Sequence, residues 1–99
     1  MKRPPGAPDP TPKQRELFEA ALEACLGFPE NTNDRGHLLG AVTAAGEFVG
    51  SLGSFDQTAF PPGTVRRFEA VMAEINVGRI AEGQDIARQI QREFEEYTA

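Results

Sequence analysis

The chain has 99 residues, with 15 acidic side chains against 10 basic, a net charge of −5 and a single cysteine. That length holds one core and leaves no room for a second independent domain. The acidic balance argues against binding a phosphate backbone, where affinity comes from Lys and Arg displacing cations, and lone Cys25 excludes an intrachain disulfide or a cysteine zinc cluster.

Residues 1–10 include four prolines, which fix φ and remove backbone donors, so a flexible Pro-rich leader is expected, followed by a single helical domain over 11–99. Met1-Lys2-Arg3 runs into Pro4 and Pro5 with no apolar core region, unlike a signal peptide. The first helix opens at Thr11-Pro12-Lys13-Gln14, with Thr as N-cap, Pro at the first helical position and Gln placed to complete a capping box. Leu17, Phe18, Ala21, Leu22 and Cys25 then share one face until Gly27 and Pro29 end the helix.

Asn31-Thr32-Asn33-Asp34 offers several N-caps for a second helix over about 34–52, with Leu38, Val42, Ala45, Val49 and Leu52 as its apolar stripe. This is also the longest apolar stretch: Leu38–Leu52 holds 15 residues, includes Glu47, and falls short of the roughly 20 needed to span a bilayer. A cytoplasmic protein without a membrane segment is therefore expected. The segment 53–60 reads as a loop with Phe55 and Phe60 tucked inward. Thr64 is positioned to cap a third helix, with Val65, Phe68, Val71, Met72 and Ile75 inward, running to about Val77. The fourth pattern is the most regular: Ile80, Gly83, Ala87, Ile90, Phe94 and Tyr97 alternate steps of three and four. The five-residue step from Ile75 to Ile80 breaks phase and places a turn at Asn76-Val77-Gly78, giving four helices. The tripeptide Phe-Glu-Ala occurs at Phe18 and at Phe68, too little to establish a repeat. The expected fold is all-α, a small bundle of about four short helices.

Asn31, Asn33 and Gly36 mimic part of a calcium loop, but Arg35 and Val42 occupy ligand positions, so the stretch reads as a polar turn. Glu16, Glu19 and Glu23 follow helical spacing, yet the Glu-x-x-His partners of a di-metal bundle are missing. No metal, cofactor or catalytic residue is expected. The one enzyme hypothesis that spacing allows is a Cys25 nucleophile activated by His37, and it needs the thiol to leave the apolar face of the first helix.

The acidic row Glu16, Glu19 and Glu23 reads most plainly as a solvated face; its functional reading is a surface that docks on a basic protein partner. On the second helix, Glu47 is the only charge between His37 and Asp56, and the side opposite the stripe presents Gly36, Gly40, Thr43, Glu47, Gly50 and Ser54. Small side chains there suit close approach of another backbone, either within the bundle, the favoured reading, or in another chain. Glu93, Glu95 and Glu96 crowd the end of the fourth helix, where the helix dipole prefers cations.

These observations lead to a non-enzymatic protein-interaction module, a small adaptor, inhibitor or accessory subunit, with Glu16, Glu19, Glu23, Gly40, Thr43, Glu47 and Gly50 as the candidate partner-binding residues. In a sharper form the acidic face blocks a nucleic-acid-binding site on that partner. The alternative is a self-associating structural subunit, a homo-oligomer with its seam on the second helix or along the heptad spacing of the fourth.

Overall fold

The computed structural model describes residues 2–52 and 59–99. Four helices follow one another, α1 Pro12–Leu26, α2 Arg35–Leu52, α3 Thr64–Asn76 and α4 Ile80–Thr98, and no strand occurs among the described residues. Each helix is antiparallel to its neighbours. Cys25 and Ala41 meet near the closed end of the α1/α2 hairpin while Phe18 reaches Phe48 further along it, and Gly83 faces Ile75 while Arg67 reaches Glu93 on the α3/α4 pair. The helices form a ring in which α1 packs on α2 and α4, and α3 closes the other side against the same two.

The capping box at the start of α1 is complete: the Gln14 N–H donates to Thr11 Oγ1 at 3.1 Å, and the Thr11 N–H donates to Gln14 Oε1 at 2.9 Å. Asp34 is the cap that serves α2, its Oδ1 accepting the Gly36 N–H at 2.8 Å. Thr64 does not cap α3 through its side chain. Gly63, in the left-handed region at φ +86°, precedes the helix, and the buried Thr64 hydroxyl donates instead to the Pro61 carbonyl at 2.7 Å. The α3/α4 turn is tight because Gly78 sits at φ +84°: its N–H donates to Ile75 O and the Arg79 N–H to Glu74 O, which satisfies the last carbonyls of α3. Arg79 and Glu74 add an ion pair at 2.8 Å across the same turn.

The core is aromatic. Phe18 from α1 touches Phe48 from α2, Phe60 from the connection before α3, Phe68 from α3 and Phe94 from α4, with ring centroids between 4.6 and 5.9 Å. Phe60 is buried as expected, whereas Phe55 lies outside the described residues. Every member of the α4 series from Ile80 to Tyr97 is buried within the bundle, so the heptad spacing serves this chain's own core and not a seam with another copy.

The apolar face of α2 differs from the expected one. Ala41, Ala45, Phe48 and Leu52 are buried, while Leu38, Val42 and Val49 lie half-exposed along the flank. Ala45 and Leu52 belong to both stripes; the rotation brings Phe48 into the aromatic cluster and turns small Ala41 toward α1. As a consequence, the opposite side of α2 meets no other element among the described residues: Gly40, Thr43, Glu47 and Gly50 are exposed, and a Cβ added at Gly40 or Gly50 would meet no described atom within 4 Å. Among the described residues the small side of α2 does not serve close packing.

Residues 2–10 lie outside the helices. Pro4 to Ala7 form a turn with Gly6 at φ +82°, Arg3 pairs with Asp9, and the Arg3 N–H donates to Tyr97 O at the end of α4.

Candidate functional site

A shallow groove of about 560 Å³ lies between α1 and α2. Its α1 wall is Ala20, Glu23, Ala24 and Gly27, and its α2 wall is Gly36, His37, Gly40, Ala41 and Ala44, with Phe28 at the connection. Most of the lining is smooth because Ala20, Ala24, Gly27, Gly36, Gly40, Ala41 and Ala44 carry hydrogen or methyl side chains, and the two helix ridges lie close together where Ala41 faces Cys25.

The structure gathers some of the expected surface residues at this groove and separates others. Glu23 and Gly40 line it directly. Glu16 lies two turns before Glu23 on the same exposed side of α1, and Glu47 lies two turns beyond Gly40 on α2, so both continue the groove's rims toward its other end. Glu19 turns the other way. Its carboxylate accepts from Arg15 Nε at 2.9 Å, and the residue lines a smaller depression with Leu26 and Gln91 on the side that faces α4, a depression that Glu23 borders as well. Thr43 faces outward one turn from Leu39, a large apolar side chain left 68% exposed, and Gly50 is exposed about two turns further along α2. Across α1, the connection and α2, acids outnumber Lys and Arg two to one, and Arg15 is already engaged with Glu19 and the Phe94 ring. Glu16, Glu23 and Glu47 have no cationic partner among the described residues.

His37 closes one end of the groove and was not singled out as a partner contact by sequence. Its ring stacks on Phe28 with centroids 5.3 Å apart and planes within 8°. Thr32 Oγ1 lies 3.2 Å from Nδ1, and an Asp34 carboxylate oxygen lies 3.9 Å from Nε2. Phe28 is buried and its carbonyl accepts from buried Gln84 of α4 at 2.8 Å, so the ring beneath His37 stands on a fixed support.

Cys25 and His37 are not paired. The thiol is fully buried, with Sγ 4.0 Å from the Ala41 carbonyl oxygen, and burial pushes its pKa up to about 11, which keeps it protonated rather than nucleophilic at neutral pH. Among the described residues no three His, Cys, Asp or Glu side chains converge as metal ligands, and no helix is long and apolar enough to cross a membrane. At the end of α4, Glu93 is engaged by Arg67 of α3 at 3.1 Å. Compared with known protein families, curated proteins and solved structures, the chain matches none.

Proposed function

We propose that this chain is a non-enzymatic protein-interaction module that docks on a basic surface of a larger partner through the exposed side of α1 and α2, as an adaptor, inhibitor or accessory subunit would. The observation that supports this reading most is the pairing of a smooth, largely apolar groove with unpartnered carboxylates, Glu16, Glu23 and Glu47, along its rims. Such an arrangement allows close approach along the floor and electrostatic register along the edges. In its sharper form, the partner's basic surface is one that otherwise holds nucleic-acid phosphates, and the carboxylates take their place. The Pro-rich leader, which the Arg3 N–H ties to Tyr97 O at the end of α4, does not line the groove in this reading.

The reading is tested by affinity capture from lysate of the source organism at low and moderate salt, with wild-type protein and with Glu16, Glu19 and Glu23 all changed to Lys. A stoichiometric basic partner retained by wild type, weakened by salt and lost by the variant is the expected outcome. Equal capture by both proteins, or capture indifferent to salt, would remove the charged docking surface. Nucleic acid that competes with the chain for that partner would support the blocking role.

A second reading, self-assembly, is favoured by Leu39, exposed next to Gly40 and Thr43 on the side of α2 that meets no other element among the described residues and that continues to Gly50. Light scattering across concentration separates the two, and a Gly50→Leu change that returns an oligomer to monomer would assign the seam to α2.

A further inference from the structure

We infer that the α1/α2 groove reads arginine: it accepts one face of a partner helix and takes an arginine side chain of that helix on the His37 face, with Glu23 on the α1 wall of the same groove. This rests on the docking reading above and names what the partner must present.

Three features of the groove point to a guanidinium. First, His37 offers a flat face that is already oriented. Phe28 holds the ring from beneath at an 8° interplanar angle, Thr32 and Asp34 flank its two nitrogens, and the side chain is still 49% exposed. A cation that stacks there orders nothing that is not ordered already, so little entropy is lost on binding. Second, Glu23 lines the same groove with its carboxylate unpaired among the described residues. Third, a guanidinium is planar, stacks on rings and at the same time presents a fork of parallel donors to a carboxylate; an ammonium is compact, strongly hydrated and satisfies only the charge.

The occupant is a helix because of the groove's walls. Ala20, Ala24 and Gly27 on one side and Gly36, Gly40 and Ala44 on the other leave no side-chain ridge to separate pockets for an extended peptide. From Ala20 to Gly27 the wall is about 10 Å long, roughly two helical turns, which matches the reach of arginines spaced one turn apart on a third helix. The unpaired rim carboxylates Glu16 and Glu47 then complement further positive charge on the same partner.

The experiment uses the full chain and two fluorescent alanine-based helical peptides of one length, one with arginines three and four residues apart and one with lysines at those positions, titrated by anisotropy at pH 8. The arginine peptide is expected to bind about two- to fivefold more tightly than the lysine peptide, the range a partly exposed cation–ring contact supplies. His37→Ala should erase that preference, while His37→Phe, which keeps a flat face on Phe28, should retain it. Glu23→Gln should weaken the arginine peptide by a similar factor. Gly40→Leu, at a position with open space around it, should block both peptides without lowering the melting temperature. Equal binding of the two peptides, or a preference that survives His37→Ala, overturns the arginine site; if charge reversal at Glu16 and Glu47 still weakens both peptides, the acidic docking surface stands without it. Loss of binding only because the chain pairs with itself, seen by light scattering, overturns both readings.

Discussion

Two glycines of this chain have opposite environments, and substitution should change stability in opposite directions. At Gly83, on the α4 face against α3, a Cβ would lie 2.9 Å from Ile75 Cγ1 and 3.4 Å from the Val71 carbonyl oxygen, so the helices can approach this closely only without it. At Gly40 the same atom would meet nothing within 4 Å. Alanine gains up to about 1 kcal/mol of helix propensity at either site, but overpacking costs about 1–3 kcal/mol at Gly83. Gly40→Ala should therefore raise the melting temperature and Gly83→Ala lower it, by about 4 °C or more per kcal/mol, and thermal melts of the two proteins check the signs. Cys25 makes a separate prediction at the same scale. Its folded pKa of about 11 stands above the thiol's ordinary value of 9.0, because burial disfavours the thiolate. Below pH 9 both folded and unfolded thiols are protonated and pH has no effect through this group; as pH rises toward 11 the unfolded thiol ionises while the folded one does not, and stability falls. The loss approaches about 2 kcal/mol and should be absent from the alkaline limb of Cys25→Ala, measured by denaturant titration at several pH values.

At the scale of elements, helix starts and stops were legible where a local rule decided them. Thr11 and Gln14 formed the expected box, and the phase break before Ile80 became the Gly78 turn, because both depend on side chains and backbone only a few residues apart. The face of α2 was not legible in the same way. Two stripes share Ala45 and Leu52, and the larger aliphatics Leu38, Val42 and Val49 favour one of them; packing on α1 and the place of Phe48 among the other rings select the other. Of the candidate surface, Glu23 and Gly40 were found by helical spacing, whereas His37 and Phe28 required the α1/α2 connection to fold back, a contact no periodicity encodes. Gln84 is a further case. It sits within the regular α4 pattern as an ordinary polar residue, yet it is buried and its Nε2 donates to the carbonyls of Cys25 at 3.2 Å and Phe28 at 2.8 Å. It thereby satisfies the end of α1 and joins the last helix to the first hairpin. Gln84→Leu keeps much of the volume and leaves those carbonyls unpaired, at a cost of roughly 1–3 kcal/mol. A melting temperature unchanged in Gln84→Leu would show that the bond contributes nothing net; the expected fall would be accompanied by faster hydrogen exchange around Leu26.

For the whole molecule, the arrangement separates what holds the chain together from what faces other molecules. The five clustered phenylalanines come one from each helix and one from the connection before α3, and Phe18 is in contact with the other four. Truncating a fully buried aromatic costs about 3–5 kcal/mol, and a domain of this size has only about 5–15 kcal/mol in total, so Phe18→Ala should remove a large part of it. Apart from buried Phe28, the α1/α2 groove is built from residues whose side chains are small or exposed, and changes at those positions leave the five clustered rings in place. The contrast is measurable in one set of melts. Phe18→Ala should unfold more than about 12 °C below wild type or lose its cooperative transition, whereas Glu16→Lys and Leu39→Ser, both on the exposed side, should melt within a few degrees of it. If Leu39→Ser instead lowered the melting temperature in proportion to protein concentration, that side chain would be buried in solution against a second copy, because only an association equilibrium makes stability depend on concentration.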